Sequence, residues 1–164
     1  MDRLWAPWRL EYIKAANLPS SDCFLCDAAA SGVNRERLVL YSRPPVISVM
    51  NLFPYNNGHL LVAPLRHIGD LKELTEEESA ALFATVRKAT IWLEKAYGPH
   101  GFNIGMNIGR VAGAGLPGHL HIHIVPRWNG DVNFMPMIGE TKVMSEALDA
   151  GWEKIRAVIE AEDQ

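Results

Sequence analysis

The apolar positions of this chain change period as the sequence advances. Short β-branched or apolar runs come first, Arg37 to Ser42 and Val46 to Leu52, divided by Pro44-Pro45. Such runs between turn residues are strand signals. Asn56-Asn57-Gly58 supplies a turn, and His59 to Ala63 continues as a third strand, so the three read as a meander. The period then becomes helical. Leu82, Val86, Ala89, Leu93 and Ala96 share one face of a segment from about Thr75 to Tyr97. Thr75 and Glu78 form a capping box at its start, and Gly98-Pro99 stops it. Two more strands are expected at Phe102 to Ile108 and His119 to Pro126, joined by a glycine-rich loop. A last helix covers roughly Lys142 to Glu160, with Met144, Leu148, Trp152, Ile155 and Ile159 as its buried stripe. Gly151 inside it costs about 1 kcal/mol relative to alanine. Upstream, Cys23 to Ala30 reads as a turn and a short helix. The aromatic-rich stretch Trp5 to Ile13 is expected to drape over the domain, with a short helix after Arg9. The order β-β-β-α-β-β-α predicts an α+β fold with an antiparallel sheet.

Composition narrows the class. The 164 residues suit one domain with a real core, and no repeat or long linker divides them. Apolar residues make up 48% and charged residues 21%, as in ordinary globular chains. The net charge is −3 and the isoelectric point about 6.1. No strong positive field exists to hold a polymeric nucleic acid, although local donors can still hold a small anion. No apolar run approaches a membrane span. Met1-Asp2-Arg3-Leu4-Trp5 lacks the apolar stretch of a signal peptide, so a cytoplasmic location is expected. Cys23 and Cys26 are spaced C-x-x-C. In a reducing compartment that spacing points to metal binding or redox chemistry more than to a structural disulfide.

The chemistry concentrates in His119-Leu120-His121-Ile122-His123-Ile124-Val125-Pro126, where imidazoles alternate with apolar residues. Alternate side chains of a strand share a face. Three imidazoles are therefore expected on one side, with Leu120, Ile122 and Ile124 in the core. Packing alone does not favour such a row, because its desolvation and mutual repulsion are costly. A metal comb remains open, since imidazole is a common metal ligand. Upstream lie Asn107-Ile108-Gly109 and Gly113-Ala114-Gly115-Leu116-Pro117-Gly118. The glycines match G-x-G-x-x-G but precede a strand and contain Pro117, so the dinucleotide-binding reading is rejected. A phosphate cradle of backbone N–H groups and a plain hairpin connection both remain.

His119-x-His121-x-His123 followed by Val125-Pro126-Arg127 resembles the signature of the histidine triad (HIT) superfamily. Gly58-His59-Leu60-Leu61-Val62 and Pro64-Leu65-Arg66-His67 resemble its second block, and Asn51 stands where relatives carry a ribose-binding Asn or Asp. The flanks Leu4-Trp5-Ala6-Pro7-Trp8-Arg9 and Pro126 to Phe134 resemble the bacterial branch of diadenosine tetraphosphate phosphorylases and hydrolases, nearer the fragile-histidine-triad type. The resemblance implies a single HIT domain over residues 1–164, with 1–22 and 129–164 as extensions. It implies a five-stranded antiparallel sheet, one long central helix and a C-terminal helix. It also implies a homodimer that joins two sheets into one.

The same resemblance assigns roles. His121 is the nucleophile that forms a covalent nucleotidyl-histidine, with its second nitrogen held by a backbone carbonyl of its own strand. Imidazole chemistry suits this, since a neutral ring is available near pH 7. His123 is the donor or general acid, and His59 completes the polar network behind both. Asn51 binds ribose, Asn107 the α-phosphate, and Gly113, Gly115 and His119 complete the substrate contacts. One departure stands out: relatives commonly carry Ala-Gly-Gln before the triad, whereas this chain has Ala112-Gly113-Ala114-Gly115. The phosphate donor expected from that Gln is missing. His59 as a satisfied core histidine, Asn51 as a strand cap, and Arg127 and Trp128 as rim, dimer contact or plain surface are the alternatives.

Relatives with C-x-x-C near the N-terminus bind zinc through it, the His of an Arg-His pair and the first triad histidine. Here those are Cys23, Cys26, His67 and His119, a normal structural set. Two buried reduced cysteines and a thiol redox pair are the alternatives. The expected substrate is a nucleotide such as a dinucleoside polyphosphate or AMP, with a divalent cation as a further companion. Water or phosphate would accept the nucleotidyl group. Competing readings are a nucleotide- or zinc-binding protein with little turnover, and nucleotidyl transfer to a sugar phosphate. The last is weakened by His123, where those relatives carry glutamine.

Overall fold

A computed structural model describes residues 23–131 and 144–163. The expected helix after Arg9, the flanks at Leu4 to Arg9 and Val132 to Phe134, and the start of the last helix at Lys142 lie outside the described residues. Helix α1 spans Phe24–Ser31. Strands β1 (Val39–Arg43), β2 (Val46–Met50) and β3 (Leu60–Pro64) follow. Helix α2 (Glu76–Tyr97), strands β4 (Gly101–Gly105) and β5 (Ile122–Arg127), and helix α3 (Leu148–Glu162) complete the order. The strands form one antiparallel sheet in the order β1-β2-β3-β5-β4. The α+β class, the meander and the central helix agree with the sequence reading.

The centre of the sheet is buried on two faces, because β2 and β3 supply apolar residues of both parities. Val46, Met50, Leu60, Val62, Ile122 and Ile124 pack under α2 and α3 against Leu82, Ala89, Trp92, Leu93, Ile155 and Ile159. Ile47, Val49, Leu61 and Ala63 face the other way and meet Leu25 and Ala28 of α1. Each such side chain taken from water contributes roughly 1.5–3 kcal/mol. Helix α2 starts with the expected capping box. Thr75 Oγ1 accepts from Glu78 N at 3.1 Å, and Glu78 Oε2 accepts from Thr75 N at 2.9 Å. Gly98 closes it in the left-handed region at φ 54°, where a Cβ is unfavourable.

Three boundaries differ from the sequence reading. Strand β5 begins at Ile122, so His119 and His121 lie in the extended lead-in. There the chain leaves the sheet ladder and Leu120 N donates to Ile68 O at 2.7 Å. Strand β4 ends at Gly105, short of the expected Ile108. Helix α3 begins at Leu148, so Met144 is not on its stripe. The residues before it are engaged elsewhere. Glu146 accepts from Tyr97 Oη at 2.5 Å and from Lys154 Nζ, and Ser145 Oγ accepts from Asn57 Nδ2 at 2.6 Å. Gly151 has a packing reason. A Cβ there would meet Tyr97 Oη at 2.9 Å and Met50 Cε at 3.0 Å.

Candidate active site and metal-ligand cluster

The pairing of β3 with β5 sets Leu61 opposite His123, so His123 projects on the α1 side of the sheet. His121 precedes it by one alternation and is only 7% exposed. The two rings lie 4.9 Å apart between centroids. His121 Nδ1 is 2.8 Å from the carbonyl oxygen of His119. A carbonyl only accepts, so Nδ1 carries the proton and Nε2 of the neutral ring carries the lone pair. Burial lowers the pKa of His121 from 6.5, which keeps the ring neutral and nucleophilic near pH 7.

The proton of His123 is placed by a similar deduction. Tyr55 N lies 3.1 Å from His59 Nδ1, and a backbone N–H only donates. Nδ1 of His59 is therefore an acceptor, and its proton sits on Nε2. That Nε2–H donates to His123 Nδ1 at 3.0 Å. Neutral His123 in turn carries its proton on Nε2. The direction of the chain, from Tyr55 through His59, makes His123 a donor at its outer nitrogen. The Tyr55 ring lies nearly parallel to that of His123, with centroids 6.0 Å apart.

The candidate binding residues fall around these rings. Asn51 Oδ1 accepts from Phe53 N at 3.0 Å, and its amide nitrogen is 3.3 Å from His59 Nδ1. Its side chain thus helps to hold His59. Asn107 Nδ2 is 3.4 Å from the Gly113 carbonyl, which ties it to the glycine loop. Gly113 adopts φ 88°, a conformation suited to glycine. Gly115 is half-buried in the same loop. A cleft of about 430 Å³ opens beside His123 and is lined by Tyr55, Asn103, Asn107 and Arg127, among others. His119 is fully buried, and its ring faces the cysteines instead of the cleft.

Two features escaped the sequence reading. Asn56 was read only as a turn residue. It is buried and donates to Pro126 O at 2.9 Å and to Asp131 Oδ2 at 2.7 Å. For Arg127 the sequence allows rim, dimer contact or surface. Its Nε and Nη2 grip Asp131 at 2.6 and 2.9 Å, and Nη1 donates to Asn103 at 2.7 Å. That pairing holds the Asp131 carboxyl well below the usual range. An i, i+4 Arg-Asp spacing was the signal, but sequence spacing does not show that the pair reaches a buried Asn.

Cys23, Cys26, His67 and His119 come together with their ligand atoms all within 4.8 Å of one another. Cys23 Sγ is 3.2 Å and Cys26 Sγ 3.6 Å from His119 Nδ1, and Cys26 Sγ is 3.2 Å from His67 Nδ1. Sulfur and nitrogen ligands of one tetrahedral zinc would sit about 3.6 Å apart. His119 Nε2 is 2.8 Å from Pro64 O, so Nε2 bears the proton and Nδ1 aims its lone pair at the sulfurs. A ligand histidine bonded behind to a carbonyl is the usual arrangement at a metal. Burial, with Cys23 nearby, pushes the Cys26 thiol up to about 11. An ion would have to displace that proton. The donor set fits a metal ion.

The fold and this histidine constellation define a class. Residues 33–130 match the HIT domain family, and the chain belongs to it. The AP-4-A phosphorylase of Mycobacterium tuberculosis (strain ATCC 25618 / H37Rv) is 41% identical over 154 residues, covering 90% of this chain and 79% of that protein. The asymmetrical bis(5'-nucleosyl)-tetraphosphatase of Schizosaccharomyces pombe is 40% identical over 93 residues, 57% of this chain and 50% of that one. The crystal structure of a zinc-bound histidine triad family protein from Mycobacterium smegmatis superposes with a TM-score of 0.69 at 22% identity. It covers 87% of this chain and 96% of that one, and shows the shared fold.

Proposed function

We propose that this chain cleaves dinucleoside polyphosphates by nucleotidyl transfer through His121. The observation that carries the reading is the bond from His121 Nδ1–H to the His119 carbonyl, which leaves Nε2 as a fixed lone pair. In the first step Nε2 bonds the α-phosphorus of one nucleotide, and the bond from that phosphorus to the bridging oxygen breaks. His123 Nε2–H lies on the right ring to protonate the departing oxygen. In the second step water or inorganic phosphate attacks the phosphorus and releases His121. Asn51 serves the ribose, while Asn107 and the amides of Gly113 and Gly115 serve the α-phosphate, in place of the missing Gln. A divalent cation would accompany the polyphosphate. The likeness to an AP-4-A phosphorylase supports the substrate class and favours phosphate as acceptor.

Product analysis tests this. With diadenosine tetraphosphate, a phosphorylase yields ADP and ATP only when phosphate is present, and a hydrolase yields AMP and ATP without it. A His121→Ala protein cleaving at the wild-type rate would end the reading. Radiolabelled nucleotide held through an acid-labile bond supports turnover over simple binding.

Zinc at Cys23, Cys26, His67 and His119 and pairing of two chains belong to the same proposal. The four donors are a zinc set by type and spacing. Strand β4 is an edge of the sheet, with Asn103, Ile104 and Gly105 exposed. An exposed apolar edge favours addition of a second copy.

A further inference from the structure

The catalytic rings and the sulfur cluster meet at one residue. His119 presents its ring to Cys23 and Cys26 and its carbonyl to His121. That carbonyl is the group that aims the nucleophile. It lies outside the regular sheet, since the ladder of β5 with β3 starts at Ile122. Its direction therefore depends on local anchors. The peptide unit it belongs to is held on its other side by Leu120 N donating to Ile68 O. The ring is held by Pro64 O on Nε2 and by the sulfurs on Nδ1.

We propose that His119 is a positioning residue through which a metal ion held by Cys23, Cys26, His67 and His119 fixes the aim of His121. The ion would staple three segments: the start of α1, the loop of Pro64 to Ile68, and the lead-in to β5. Two of them carry the anchors of the His119 peptide. Without the ion, the sulfur side of the ring is held only by thiols, which bond weakly. The three segments then lose their common tie, and the lead-in that carries the carbonyl can shift against the loop that anchors it. Misplacement of a reacting group by about 1 Å costs on the order of 100-fold in rate, so a smaller shift is expected to cost about tenfold. The groups proposed to hold ribose and phosphate, Asn51, Asn107, Gly113 and Gly115, are not among the four donors of the cluster, so binding is expected to be spared.

The inference rests on the proposed nucleotidyl transfer for its kinetic part only. The test compares zinc-loaded, chelated and re-zinced protein. The first readout, without substrate, is the imidazole N–H resonance of His121 Nδ1 in 15N-labelled protein, with zinc content measured in parallel. The second is the single-turnover rate of nucleotide transfer to His121, beside the Kd for AMP. Zinc removal is expected to weaken or speed exchange of that resonance and to slow transfer about tenfold, with Kd within threefold. Re-zincing restores both. An unaltered resonance and rate in folded zinc-free protein would overturn the inference. If chelation unfolds the chain, His67→Ala replaces it, because His67 is exposed and contacts neither catalytic ring. A folded variant with weakened zinc but unchanged resonance and rate has the same negative force. A wild-type protein that transfers no nucleotide defeats the proposed function, while the resonance still decides the role of His119.

Discussion

At the scale of single residues, protonation is decided by which partner can only donate or only accept. His121 and His59 each have one such partner, and the rest of the network follows. Ser48 is the opposite case. It lies in β2 on the side of Val46 and Met50, is fully buried, and its hydroxyl has no hydrogen-bond partner among the described residues. An unmet buried hydroxyl costs about 1–3 kcal/mol. Ser48→Ala is therefore expected to leave stability equal or raise it by about 1 kcal/mol, as read by urea unfolding. A clear loss would show that the hydroxyl has a bonding role. The candidate residues were legible because three alternating imidazoles are rare. What the sequence could not show was the division of labour. The resemblance makes His119 both substrate contact and metal ligand, and the structure turns its ring to the sulfurs and only its carbonyl to His121.

At the scale of elements, helix α2 is locked at its start by chemistry that the sequence shows only in part. The capping box was visible from Thr75 and Glu78, but the grip of Arg66 on the same Glu78, at 2.9 and 2.8 Å, was not. The Arg66 hydrogen bond, with help from Thr75 N–H, lowers the Glu78 carboxyl from 4.5 to about 2. A depressed carboxyl stabilises the fold above its unfolded value and loses that effect as pH falls toward the folded one. Acid unfolding is thus expected to steepen between pH 4.5 and about 2. Glu78→Gln should flatten that limb and cost on the order of 1–2 kcal/mol at pH 7, after allowance for the half-exposed arginine. An unchanged acid limb would count against the pair. Gly151 in α3 gives a second case. Alanine gains about 1 kcal/mol of helix propensity, yet its methyl would press on Tyr97 and Met50. Gly151→Ala is expected to lower stability by roughly 1–2 kcal/mol, read as a fall in Tm. Strand and helix identities were legible from period. Their ends were not, because alternation already runs through His119 and His121 before the ladder begins at Ile122, and because Glu146 is held by Tyr97 and Lys154.

At the scale of the whole molecule, the sheet order explains the site. Strand β5 inserts between β3 and β4, which brings His59 beside His123 although 64 residues separate them. The sequence predicted the β1-β2-β3 meander, but nothing in its periodicity revealed that insertion, because register across distant strands is set by tertiary packing. The candidate metal-ligand cluster is equally global. It joins Cys23 to His119 across 96 residues, so on the proposed zinc reading chelation is expected to lower Tm by several degrees while near-ultraviolet circular dichroism stays native. The open edge at β4 makes a further expectation. Ile104→Lys should shift a proposed dimer toward monomer in sedimentation velocity, since charge on an edge strand opposes pairing. A variant that stays paired would place the interface elsewhere.

The last link of the histidine chain is a main-chain amide, that of Tyr55. Evolution can rewrite the side chain at this position without touching the hydrogen that orients His59 and, through it, His123. Only proline lacks that hydrogen. The arrangement of protons in the His59–His123 pair is thereby insulated from most drift in its surroundings, and Tyr55→Phe and Tyr55→Pro should part ways: the first keeping the polarity of the pair, the second weakening it to what the longer contact from Asn51 Nδ2 sustains.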